Sequence, residues 1–197
     1  MRTWIGIIFV IAMTTLSHAD TLQLVTNPYG ESGPYNFYVN GSSTTTPLIC
    51  FSDSNLITWG EQWTADVFTI NSVQNIKGDF AGSQFQYNVL GYLADELFAN
   101  PGNGDIQQAI WYVLGKGGAN NSDYVDAENY VNSNQNYKTT DIFYIPVPVD
   151  GSWSSSAFDG LGEPQPFVGQ TPEPASLLLM GTGMLALAGA LRRKAGF

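Results

Sequence analysis

The chain has 197 residues, seventeen acids against seven Lys and Arg, and a formal net charge of −10 at pH 7. Sixteen acids and only three lysines fall in residues 20–170, an excess of thirteen negative charges that repels polyanions and sets nucleic-acid binding aside. The one His and one Cys exclude Ser–His and Cys–His nucleophiles, His-based metal sites and an intramolecular disulfide, because His18 falls in an N-terminal leader.

Arg2, the apolar run 4–16 and the small-x-small triplet Ser17-His18-Ala19 give residues 1–19 the pattern of a secretory signal peptide, with the cut expected before Asp20. The run is too short for the roughly 20 apolar residues of a membrane span. Residues 20–150 form one domain of a length that can bury a real core. In it, 21–26 alternates briefly, and Tyr35–Val39 alternates aromatic and polar side chains and closes at Asn40-Gly41, a hairpin turn. Strands are also expected at 48–51, which contains Cys50, and at 63–70.

The period then changes. Leu90, Leu93, Ala94, Leu97 and Phe98 recur at helical spacing and stop at Asn100-Pro101-Gly102. A second helix is expected over 105–114, capped by Asp105, with Ile106, Ala109, Ile110, Val113 and Leu114 as its apolar stripe. A weaker third covers 122–132, and 141–149 returns to strand, Pro146 and Pro148 marking it as an edge. Residues 151–171 are Ser, Gly and Pro-rich and read as a linker. The expected fold class is α+β: sandwich- or barrel-like strands at both ends of the domain, a helical insertion between them, and a single transmembrane helix at the C-terminus.

That last helix rests on 175–191, a run rich in Leu, Gly and Ala, followed at once by Arg192, Arg193 and Lys194. It would cover roughly 25 Å of a bilayer core of about 30 Å, with the basic cluster as the cytoplasmic stop. Pro172-Glu173-Pro174 stands just before it. Over 172–197 this order resembles the PEP-CTERM sorting signal. The resemblance implies an exported protein handled by an exosortase-type enzyme, with the domain outside the cytoplasm, membrane-anchored or released to the surface or matrix.

A second resemblance rests on two blocks inside the domain. Leu48-Ile49-Cys50-Phe51 and Gln107-x-Ala109-Ile110-Trp111 resemble, in that order, the Cys–Gln thioester (TQXA-type) domains of bacterial surface adhesins, with Ile106 where the family has Thr. The resemblance implies a bond between Cys50 and Gln107, a pocket formed by Phe51, Ala109, Trp111 and Tyr112, and covalent attachment to an amine or hydroxyl of a surface protein or polysaccharide. A thiolate is the side chain both nucleophilic enough to attack a carboxamide and able to leave again. At about 100° per residue, Gln107 borders the apolar stripe of its helix while Gln108 points to solvent.

Other residues carry less. Asp95-Glu96 diverge on a helix, Asp53 and Asp66 read as solubilising charge, and 100–105 reads as a turn with a cap rather than a calcium loop. No conventional enzyme, cofactor or metal centre is expected. The alternative to adhesion is a noncovalent structural or carbohydrate-binding module of an exopolysaccharide or biofilm matrix, with Cys50 an inert core residue.

Overall fold

The computed structural model describes residues 19–55, 57–148 and 163–171. Four strands come first: β1 (Ala19–Thr26), β2 (Tyr35–Val39), β3 (Thr45–Cys50) and β4 (Gln62–Thr69). After two short 3-10 turns come α1 (Gln84–Ala99), α2 (Gly104–Val113) and α3 (Ser122–Ser133), then β5 (Ile142–Pro146) and β6 (Phe167–Gly169). The six strands close into a barrel in the order β1-β2-β3-β6-β5-β4, every neighbouring pair antiparallel.

Local chemistry sets the register. Asn40 and Gly41 take positive φ angles of 53° and 69°, the left-handed region that Asn and Gly occupy at least cost. The turn they make pairs Tyr35 with Leu48 and Phe37 with Thr46. Asn40 also accepts from the Thr21 N–H (2.9 Å) and donates to Asp20 (2.8 Å), tying the hairpin to β1. In β1, Leu22 and Leu24 are buried while their neighbours are half-covered, the period-2 pattern of a barrel wall. Inside, Phe37, Trp63 and Phe167 meet edge-on or tilted at centroid distances of 4.6–5.9 Å, with Tyr35 edge-on to Phe167 at 6.0 Å.

One stretch of wall is covered on both faces. Leu48, Ile49 and Cys50 are all fully buried, so alternation disappears at the end of β3. Phe51 beyond it packs edge-on to Phe80, Tyr87 and Phe143, and Tyr87 of α1 lies 4.8 Å from the Phe143 ring of β5. The helices are stopped and started by polar caps. Ser83 and Gln86 form a reciprocal capping box on α1, and Asn121 caps α3. Asn103, not Asp105, caps α2 by accepting from the Asp105 and Ile106 N–H groups; Asp105 stands in the first turn instead.

Three expectations are corrected. The α+β arrangement with sandwich- or barrel-like ends is instead one closed six-strand antiparallel barrel carrying three short helices. The reason lies in the segment read as a linker. Phe167 and Val168, both fully buried, pair with Cys50 and Ile49 on one side and with Tyr144 and Phe143 on the other, so β6 fills the gap between β3 and β5. For the same reason β5 is not an edge: it pairs with β4 and β6. Pro146 costs no ladder bond at its end because the Val147 N–H donates to the Thr64 carbonyl at 3.0 Å.

The third correction concerns the C-terminal transmembrane helix, and with it the expected membrane contact. Among the described residues no helix is long and apolar enough to cross a membrane. Residues 175–191, Pro172, Glu173 and Pro174 of the sorting motif, Arg192, Arg193 and Lys194, and the leader up to His18 lie outside the described residues.

Two outcomes follow from this packing. Phe167→Ala should lower unfolding stability by about 3–5 kcal/mol, read as the urea midpoint by near-UV circular dichroism; a loss below about 1 kcal/mol would mean that β6 does not close the barrel. Asp141, 2% exposed, accepts from the Thr139 hydroxyl (2.8 Å), and burial, then repulsion from Asp95, pushes its pKa from 3.8 up to about 7. The unfolded chain releases that proton first, so this contribution, at most about 4 kcal/mol, is present below pH ~4 and lost as pH rises to ~7. Urea midpoints across this range should fall with pH in the native chain and flatten in Asp141→Asn.

Candidate functional site

Cys50 ends β3 at the mouth of the barrel from which the loops 27–34 and 51–61 leave. Gln107 sits at the start of α2, fifty-seven positions away. The fold brings them together. The Gln107 side chain is 1% exposed, its Nε2 donates to the Cys50 carbonyl at 2.9 Å, and its Oε1 accepts from the Gly33 N–H at 2.9 Å. With a donor on one side and an acceptor on the other, the amide can point only one way. Gln108 is half-buried on the outer side of the helix.

Gly33 is fixed in turn. Its carbonyl accepts from the Gly102 N–H at 3.0 Å, which staples the loop 27–34 to the connection between α1 and α2. A Cβ at position 33 would lie 3.3 Å from Gln107 Oε1 and 3.4 Å from both Ile49 and Tyr35, so only glycine lets the backbone come this close without displacing a neighbour. The Gly33 N–H therefore stands where a negative charge would develop on the Gln107 oxygen if its carbonyl carbon were attacked.

Two aromatic side chains hold the sulfur. The Trp111 Nε1–H donates to Cys50 Sγ at 3.3 Å, and the thiol donates to the Tyr35 hydroxyl at 3.6 Å. The Tyr35 hydroxyl in turn donates to the Glu31 backbone carbonyl at 2.8 Å. Burial pushes the Cys50 pKa up to about 11, against the pull of the Trp111 and Tyr35 hydrogen bonds, and Asp53 adds to the rise. Burial likewise raises Tyr35, with Cys50, Glu31 and Asp53 nearby adding to it. At neutral pH the sulfur is a protonated thiol in a dry, hydrogen-bonded niche.

Tyr35 and Trp111 also form the floor of a cavity of about 170 Å³ whose walls include Asn27, Glu31, Asp53 and Trp59. Asn27 Oδ1 is buried there with no hydrogen-bond partner among the described residues. Trp59 is 71% exposed at the rim. The hollow is thus lined by two acidic side chains and two indoles.

The remaining expected pocket residues divide. Trp111 touches the sulfur and Ala109 is fully buried on the same helix. Phe51 is buried, but among Phe80, Tyr87 and Phe143 in the layer outside the barrel. Tyr112 is 37% exposed and packs edge-on to Tyr124, outside the cavity. Tyr35, Gly33, Asn27, Glu31 and Trp59 are not singled out by the sequence; Asp53, read there as solubilising charge, is exposed and also lines the cavity. Tyr35 was within reach: counting back from the Asn40-Gly41 turn places it opposite Leu48, two residues from Cys50. Among the described residues no group of three or more His, Cys, Asp or Glu side chains is placed to hold a metal ion.

Comparison with known families finds a PEP-CTERM protein-sorting motif at residues 170–194. The motif implies an exported protein, targeted to the cell envelope and processed by an exosortase-type enzyme. No curated protein and no solved structure matches the chain, and nothing in the comparisons supports the resemblance of the ectodomain to thioester domains.

Gln107→Ala should strand the buried Gly33 N–H and Cys50 carbonyl and cost about 2–4 kcal/mol of unfolding stability, whereas Gln108→Ala should stay within about 0.5 kcal/mol. Equal losses in urea titrations of the two variants would show that the Gln107 bonds do not hold the mouth together.

Proposed function

We propose that this exported protein is an envelope- or matrix-associated adhesion module that couples covalently to a primary amine through an internal thioester between Cys50 and Gln107. The observation that carries the reading is the Gln107 carboxamide, pinned by Gly33 and by the Cys50 carbonyl beside the only thiol of the chain. Forming the bond joins Sγ to the Gln107 side-chain carbonyl carbon and breaks the bond from that carbon to Nε2. The thiol proton leaves with the nitrogen as ammonia, so no oxidant or cofactor is needed. Fixed proximity replaces the missing histidine, the Gly33 N–H offsets charge on Oε1, and the Trp111 N–H offsets charge on sulfur.

The cavity above the sulfur favours an amine over a sugar hydroxyl. Glu31, Asp53 and the indole of Trp59 suit an alkylammonium group. Its volume, about 170 Å³, is below the usual range for small-molecule sites and suits a single side chain. The ammonium first gives one proton to water; the neutral amine then attacks the thioester carbon, the carbon–sulfur bond breaks, and a second proton passes from the nitrogen to the Cys50 sulfur. An amide to Gln107 and a free thiol remain. The amine would be borne by a surface protein or an amino-bearing polysaccharide.

A second reading, a noncovalent structural or carbohydrate-binding module of the matrix, is favoured by the same burial that keeps the Cys50 thiol protonated. Mass spectrometry separates the two. Under the covalent reading the freshly purified protein is lighter by one ammonia, about 17 Da, and resists alkylation. Methylamine restores an alkylatable thiol and adds itself at Gln107, faster as pH rises because the neutral amine attacks. Asp53→Asn should slow capture of cadaverine about tenfold. Full unmodified mass with an alkylatable Cys50 before any amine is added ends the covalent reading.

A further inference from the structure

On the helical side of the domain, remote in sequence from Cys50 and Gln107, the end of α3 and the segment after it border two adjoining cavities of about 510 and 290 Å³. They share Gln135 and Tyr137, and among the described residues no charged side chain lines either one. Two other cavities of the domain do hold carboxylates, Glu31 and Asp53 in one and Glu96, Asp123 and Asp126 in the other. From this juxtaposition we infer a second, noncovalent binding groove whose ligand is a neutral polysaccharide.

The lining supplies the two contacts a sugar ring needs. Tyr130 keeps 41% of its surface exposed and is stacked on Tyr92 at 4.5 Å and 28°, with Tyr137 edge-on to both rings. The phenol is therefore held in a rigid aromatic stack, a platform for the apolar C–H face of a pyranose. Around it Asn132, Gln135 and Asn136 are exposed, and each carboxamide sets a donor beside an acceptor at the spacing of neighbouring hydroxyls. The larger cavity is within the usual size of ligand sites. An anionic glycan would meet the acidic remainder of the surface, and a peptide would find no deep apolar anchor pocket here.

The groove is independent of the thioester, and the test keeps them apart. The full chain is run in native gels cast with hydroxyethylcellulose, galactomannan, dextran or laminarin, and with polygalacturonate as the anionic comparison. At least one neutral polymer should retard it, and polygalacturonate should not. Tyr130→Ala should weaken the retardation about tenfold; Tyr130→Phe should retain it; Gln135→Ala, on an exposed side chain that folding does not need, should weaken it about threefold. Cys50→Ala should behave as the native chain. Unretarded migration in all four neutral gels overturns the inference, as does retardation that Tyr130→Ala and Gln135→Ala both leave unchanged.

Discussion

A single buried carboxamide joins the parts of this molecule that have least reason to meet. Gln107 reaches from α2 to the last residue of β3 and to the loop between β1 and β2, with 2.9 Å bonds to each. Without it, a buried backbone N–H and a buried backbone carbonyl would be left unpaired, which costs more than the bonds themselves gain in water. The capped start of α2 sets its aim. Asn103 fixes the first turn through Asp105 and Ile106, and its carbonyl accepts from the Gln107 N–H at 3.1 Å. Hydrogen bonds from Gly33 and Trp111 and to the Cys50 carbonyl thus hold the carboxamide and the sulfur in place.

The same desolvation acts in two directions. It holds Cys50 as a thiol and so protects it from stray oxidation, and it excludes the water that would hydrolyse any acyl group formed there. The cavity above differs: Glu31 and Asp53 in its walls offer acceptors where the groups around the sulfur are already hydrogen-bonded. Reactive atoms at the bottom of a dry niche and a polar vestibule above them make entry depend on the chemistry of the visitor.

Much of this was legible in the sequence, for physical reasons that also explain the failures. The Asn40-Gly41 turn, the three helices and the inward Gln107 are local patterns, decided by φ angles, caps and a 3.6-residue period. The tail motif is likewise contiguous. Closure of the barrel is not local. Three residues, Phe167–Gly169, are too few for any periodic signal, and their Pro- and Gly-rich surroundings resemble a linker because only pairing with β3 and β5 makes them a strand. Glu31, Gly33 and Asp53 come from loops, where sequence carries no register at all.

Strand direction adds a last constraint on how the site can be used. β3 ends, β5 ends and β6 begins at the mouth that holds Cys50, since Cys50 pairs with Phe167 and Phe167 with Tyr144. β6 then runs away from that mouth, toward the end where Gly169 pairs with Ile142 and where β1 begins beside Asp66. Only Gln170 and Thr171 separate β6 from Pro172. Both are tied down, Gln170 to Asp95 (3.4 Å) and Thr171 to the Thr140 carbonyl. The sorting motif thus begins directly after β6, at the end of the barrel opposite the cavity. Closure of the barrel by β6 thus fixes both the wall beside Cys50 and the end of the domain from which the chain continues.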